Sequence, residues 1–189
     1  MAVRRIVYCG DPVLRRKASR VRRIDDDICS LLDDLAETML EANGLGLAAA
    51  QVGVSTSVVV VRRGADSDEV IELINPRIIE IEGEESGTEG CLSLPTLRGT
   101  VVRPTRTAVE AVDRDGEEIF VEGEGMMARC LSHELDHLAG RLFIDAVEAD
   151  SLCWLRPDVD EEDGYRTEPT TLEEAQEAFE RLRARQKGS

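Results

Sequence analysis

The pattern that most restricts this chain is His133-Glu134-Leu135-Asp136-His137, inside the stretch Ser132 to Gly140. The apolar spacing around it predicts a helix from Met126 to Ala139, stopped at Gly140. Four residues are just over one helical turn, so both imidazoles project from one face, close enough to share an ion. Neutral imidazole suits zinc, iron, nickel and copper. Glu134, beside the first histidine, is placed to take a proton from a water activated by such an ion. A catalytic ion also needs a third ligand and an open position. The short pattern arises by chance as well, and its structural reading is two histidines hydrogen bonding near a helix end. Only two histidines occur among 189 residues, however, and both stand in this spacing, which favours a metal.

Composition then narrows the class. A length of 189 residues suits one domain, or one domain with an appendage. Aromatics make up 3% of the chain, so the core is expected to be mainly Val, Leu, Ile and Ala. A formal charge of −16 argues against a general binder of nucleic acid or anionic membranes. The five cysteines (Cys9, Cys29, Cys91, Cys130, Cys153) show no paired spacing, which fits a reducing cytosol. Met1 to Val7 has no apolar leader, and the aliphatic run Val58 to Val61 is too short to span a bilayer. The expectation is a soluble, cytoplasmic protein.

Along the chain, Arg4 to Val13 reads as an extended lead-in ending in a Gly10-Asp11-Pro12 turn. Asp25 to Asp27 place negative charge at a helix start, and Ile28, Leu31, Leu32, Leu35 and Met39 form one stripe. Asn43-Gly44 ends that helix. Gly44-Leu45-Gly46-Leu47-Ala48-Ala49-Ala50-Gln51 follows. It lacks phosphate-loop spacing, and its residues alone read as a loop packed tightly on the core, with Gln51 needing a polar partner if buried. Val58 to Val61, Glu69 to Ile74 and Arg77 to Glu82 read as strands, with Asn75-Pro76 separating the last two. Arg62 to Asp68 reads as a polar turn and Gly83 to Thr88 as an acidic loop. Arg106 to Val112 and Glu117 to Val121 flank the hairpin signal Asp113-Arg114-Asp115-Gly116. Cys91 lies in the turn-like Glu89-Gly90-Cys91-Leu92-Ser93, where a lone cysteine is more often a small buried hydrophobe than a ligand. Arg129, one turn before His133, reads as a salt-bridge partner at a cleft edge. Asp158 to Asp163 reads as a loose acidic linker. Thr170-Thr171 caps a last helix with Leu172, Ala175, Phe179 and Leu182 on one stripe and Arg181, Arg183, Arg185 and Lys187 at its end.

The glycine-rich motif ending at Gln51, the motif around Cys91 and the histidine motif, in that order and spacing, resemble the peptide deformylases. The likeness runs from about Val3 to Val147 and includes Asp11-Pro12-Val13-Leu14-Arg15, Asn75-Pro76 and Gly140-Arg141-Leu142-Phe143-Ile144-Asp145. It implies an α+β fold, with antiparallel or mixed β-sheets around the central motif-bearing helix and helices at both ends. A deformylase-like catalytic domain over residues 1–150 would precede an acidic linker and C-terminal helix over 151–189.

The resemblance further implies a metal-dependent hydrolase that removes the N-formyl group from the initiator methionine of nascent peptides, releasing formate. One divalent ion would be held by Cys91, His133 and His137. The family's usual ion in the cell is Fe(II), and zinc, nickel or cobalt are expected in purified samples. Glu134 would be the proton carrier, and Gln51 with the Leu92 backbone N–H would hold the developing oxyanion. The Gly46 backbone would pair with substrate in strand fashion, and Leu45, Gly90, Met126 and Cys130 would line the methionine pocket. The basic end from Arg181 to Lys187 invites contact with the ribosome, although a solvated helix end is the simpler reading.

Two positions depart from the family pattern. Ser132 stands where Gln usually precedes the first metal histidine, and Ala50 where Pro usually precedes the motif glutamine. Neither is a ligand or the base, but Ser132 puts the hydrogen bonding around the ligands in question. A zinc endopeptidase is the first rival, disfavoured because no histidine follows the motif to serve as third ligand. A non-catalytic paralogue is the second, and it would show a lost ligand, base or oxyanion donor.

Overall fold

The structure is a computed structural model; it describes residues 2–64, 67–161 and 164–187, and for residues 185–187 the backbone alone. Asp25 opens the first helix, its carboxylate accepting the Ile28 N–H at 3.2 Å. The helix α1 runs Asp26–Glu41 and buries Leu31, Leu32, Leu35 and Met39. It ends as expected: Asn43 takes φ +52°, and the Gly44 N–H turns back to the Met39 carbonyl at 2.8 Å.

Strands β1 (Gly46–Ala48), β2 (Val58–Arg62), β3 (Val70–Glu82), β6 (Arg106–Val112) and β7 (Glu118–Glu124) form one sheet in the order β1-β2-β3-β6-β7. Strands β4 (Glu85–Cys91), β5 (Leu94–Arg103), β8 (Cys153–Pro157) and β9 (Tyr165–Pro169) form a second, in the order β4-β5-β8-β9. Every pairing between these strands is antiparallel. Helix α2 (Met126–Leu138) packs on one face of the first sheet, against Val59, Val61, Leu73 and Val109; α1 covers the other, against Val58, Val60 and Ile74. With helices on both faces, the run Val58 to Val61 is wholly buried and shows no alternation.

Three expectations change. Asn75-Pro76 does not separate two strands: β3 is continuous, with a register shift between Ile74 and Arg77. Asn75 sits at φ +53°, and its amide bonds both backbone groups of Val21, at 2.9 and 3.0 Å, so the bulge absorbs the proline. The stretch Gly83 to Thr88 is not a loop beyond Glu85, because β4 begins there and pairs with β5. Its sequence, Glu-Ser-Gly-Thr-Glu-Gly-Cys, shows no apolar alternation, and its buried Glu89 finds its partners only in the fold; pairing overrides the weak local preference. Strands β5, β8 and β9 are not expected either: Pro95 and Gly99 interrupt β5, and β8 and β9 are five residues each.

The C-terminal segment continues the second sheet. Leu97 pairs with Trp154 and Arg98 with Cys153, so the region read as an acidic linker holds the β8–β9 hairpin. Helix α3 (Leu172–Lys187) follows, opened by a reciprocal cap. The Thr171 hydroxyl accepts the Glu174 N–H at 3.2 Å, and the Glu174 carboxylate accepts the Thr171 N–H at 3.0 Å. Ala175 and Phe179 are buried, with the Phe179 ring 5.6 Å from that of Trp154, while Leu172 lies exposed outside the stripe. Residues 65–66 of the polar turn, 162–163 of the acidic stretch, and the Arg185 and Lys187 side chains lie outside the described residues.

Candidate metal centre and active-site cleft

Helix α2 carries both histidines inward, with His133 and His137 buried. Its end is sharp: Gly140 has φ +75°, and a Cβ there would lie 2.8 Å from the Arg15 carbonyl oxygen. Facing the helix, Cys91 ends β4 in a tight turn that pairs it with Leu94. The thiol lies 3.3 Å from His137 Nε2. The ligand atoms of Cys91, His133 and His137 all fall within 4.8 Å of one another, close to the span that metal bonds of about 2.0–2.3 Å can bridge. A soft thiolate with two imidazoles suits a transition-metal ion.

Glu89 organises the surroundings. His133 Nδ1 sits 2.9 Å from its carboxylate, which leaves Nε2 free to ligate. Arg103 donates to both Glu89 oxygens, at 2.8 and 3.1 Å, and to Asp136 at 2.6 Å. Arg129 donates to Glu89 at 3.0 Å and to the carbonyls of Glu85, Gly87 and Val101, so it is the salt-bridge partner the sequence suggested, and it straps β4 to β5 as well. Burial alone would raise the Glu89 carboxyl, but the bonds from His133 and Arg103 outweigh it and hold the group at about 2. Glu89 was missed from sequence. It stands two residues before Cys91, hence on the same face of the strand, and alternation would have found it had β4 been recognised.

Gln51 also points at the thiol. Its Oε1 accepts the Ala48 N–H at 2.8 Å, which turns Nε2 toward Cys91 Sγ at 3.5 Å. Glu134 lies against Gly46, where an added Cβ would come within 2.6 Å of the carboxylate. Its Oε2 is buried without a hydrogen-bond partner among the described residues. Burial raises the Glu134 carboxyl to about 7, against the lowering effect of His133. The Ser132 hydroxyl bonds the Ala128 carbonyl at 2.9 Å and meets Thr107 at 3.3 Å, so it is satisfied away from the ligands.

A cleft of about 410 Å³ opens over these groups. The residues expected there from sequence, Leu45, Gly46, Gly90, Met126 and Cys130, all line it, together with Gln51, Cys91, Leu92, His133 and Glu134. Met126 is largely exposed at the mouth, whereas Cys130 is buried and its thiol pushed well up by burial, making it a neutral wall. Thr96 and Arg98 also line the cleft, and no sequence signal singled them out.

A sequence model of the polypeptide deformylases matches residues 3–151. The chain belongs to the peptide deformylase family. A peptide deformylase from Acetivibrio thermocellus is 54% identical over 147 residues, covering 78% of this chain and 85% of that protein. Among solved structures, a peptide deformylase from Legionella pneumophila has a TM-score of 0.78 at 36% identity, over 97% of this chain and 99% of that one. One from Synechococcus elongatus, in complex with actinonin, has a TM-score of 0.74 at 40% identity, over 77% of this chain and 80% of that one. As a member of this family the chain is a hydrolase that deformylates nascent polypeptides. Peptide deformylases are metal-dependent, and the Cys91, His133 and His137 cluster can hold the ion. No helix among the described residues is long and apolar enough to cross a membrane.

Proposed function

We propose that Cys91, His133 and His137 ligate one divalent ion at which the formyl group of an N-terminal formylmethionine is hydrolysed to formate and a free amine. The observation that carries this is the cluster of three candidate ligand atoms at one cleft lined by Cys91 and His133, with the Gln51 amide and a Glu134 oxygen that has no partner among the described residues. When bound, the ion polarises the formyl carbonyl and acidifies a water at neutral pH. Glu134 takes the proton of the attacking water and delivers it to the departing amine nitrogen as the C–N bond breaks. The Gln51 Nε2–H and the Leu92 N–H hold the negative charge that develops on the formyl oxygen; one such donor contributes about 10²–10³ in rate. Glu89 holds the His133 ring in its ligating orientation. The Gly46 backbone pairs with the substrate chain, and Leu45, Gly90, Met126 and Cys130 surround its methionine.

Fe(II) is the ion proposed in the cell, with zinc, nickel or cobalt able to replace it, because a thiolate with imidazoles accepts all four. The catalytic unit of this proposal is residues 1–150, with 151–189 as its C-terminal addition, and its place is the cytoplasm. Contact of the α3 end with ribosomes is part of the same reading. Co-sedimentation lost in Arg185→Glu/Lys187→Glu supports it, and absence of co-sedimentation for the full chain ends it. The central test is formate release from a formyl-Met tripeptide by anaerobically prepared protein with Fe(II), beside Glu134→Ala. Release abolished by the substitution with metal retained supports the assignment; metal bound without turnover under any of the four ions overturns it in favour of an inactive paralogue.

A further inference from the structure

The turn from Cys91 to Leu94 carries a proposed ligand and a proposed oxyanion donor, so whatever fixes its pose fixes the site. On its far side the Ser93 carbonyl accepts the Cys9 N–H at 2.9 Å. The next residue, Gly10, is held from outside: its carbonyl accepts a hydrogen bond from Arg183 Nη1 on α3. Gly10 sits at φ +94°, and its Cα faces the Arg183 side chain, with a Cβ there 3.6 Å from Nη1. The Arg183 Nε is buried and has no hydrogen-bond partner among the described residues, so the guanidinium is held through Nη1 on the Gly10 carbonyl. Apolar packing runs along the same line, for Cys9, Cys91, Leu94, Trp154, Ala175 and Phe179 belong to one core cluster. The C-terminal helix thus reaches the ligand-bearing turn through one loop and two backbone carbonyls.

We propose that Arg183 is a positioning residue for the active site: by holding the Gly10 carbonyl it fixes the Cys9 amide on Ser93 and, through it, the pose of Cys91 and Leu92. The C-terminal addition is then a working part of the metal centre, although the family match ends at residue 151. The inference rests on the reading of Cys91 as a ligand.

The test compares full-length wild type, Arg183→Ala, Arg183→Lys and Arg181→Ala. Arg181→Ala removes an equal charge from the same helix, where among the described residues Arg181 pairs with Glu177 at 3.5 Å. Two readouts are taken: the rate at which Zn(II) passes to an excess of chelator, and hydrogen exchange over residues 91–94 in metal-free protein. For Arg183→Ala, metal release is expected to rise about tenfold, in line with other groups that support ligands from outside. Exchange over 91–94 rises with it, kcat falls at unchanged KM, and Lys restores part of each effect. Arg181→Ala behaves as wild type. Unchanged release and exchange in Arg183→Ala overturn the proposal, as does an equal effect of Arg181→Ala. Full metal content in Cys91→Ser would instead overturn the ligand assignment beneath it, so the two failures are distinguishable.

Discussion

Gly46 and Glu134 are in such close contact that a single methyl group on the glycine would lie 2.6 Å from the carboxylate. Strand β1, proposed to pair with substrate, and the proposed base are therefore fitted to one another, and hydrogen is the only side chain that leaves the base in place. Gly46→Ala is expected to lower kcat by about 10²-fold, the cost of misplacing a reacting group by about 1 Å, with metal content unchanged. Steady-state kinetics beside metal analysis check this, and a wild-type kcat would show that the base tolerates displacement.

Removing the negative charge of Glu89 has a different signature. Glu89→Gln leaves Arg103 and Arg129 buried with their shared counter-charge gone and takes the anion from His133. Breaking a buried pair costs about 3–5 kcal/mol, and loss of a ligand's outer partner weakens metal binding by about 10–100-fold. Urea unfolding of the metal-free protein and chelator competition measure the two effects separately.

The link between Arg15 and Asp145, at 2.5 Å, ties the N-terminal turn to the segment after α2. Burial raises the Asp145 carboxyl, but the bonds from Arg15 and the Leu142 N–H lower it below its ordinary value. A depressed carboxylate stabilises the fold fully above its unfolded pKa of about 3.9, and that contribution is lost as pH falls through the lower folded value. The difference in unfolding midpoint between wild type and Asp145→Asn should therefore hold constant from about pH 8 to 5 and shrink below about pH 4. A gap that widens on acidification would reverse the sign of the linkage.

Within α3, two apolar residues of one sequence stripe should behave unlike each other. Phe179 is 1% exposed against Trp154, and Phe179→Ala is expected to cost about 3–5 kcal/mol. Leu172 is 40% exposed, and Leu172→Ala should fall within about 0.5 kcal/mol of wild type. Denaturant titration of each variant decides.

The legible parts of this protein are those whose information is local. Helix period places His133 and His137 on one face, Asp25 and Gly140 mark helix ends, and Asp113 to Gly116 mark a hairpin, because each rests on residues a few positions apart. The strands that carry Cys91 were harder to read. The small and polar residues of β4 show no apolar alternation, and Asn75-Pro76 looks like a break until the Asn75 amide is seen bonded to Val21.

The inventory is written in the sequence: two imidazoles in register, a thiol, a carboxylate beside the first histidine and a lone amide in an apolar motif. Tertiary structure decided their assembly. It brought Cys91 within 3.3 Å of a histidine 46 positions away, turned the Gln51 amide toward that thiol, and closed Glu89 with Arg103, Arg129 and Asp136 into a buried network. The reason is physical. Spacing along a helix is set by backbone geometry that any short segment expresses, whereas a buried charge finds its partners only when distant strands have paired and excluded water.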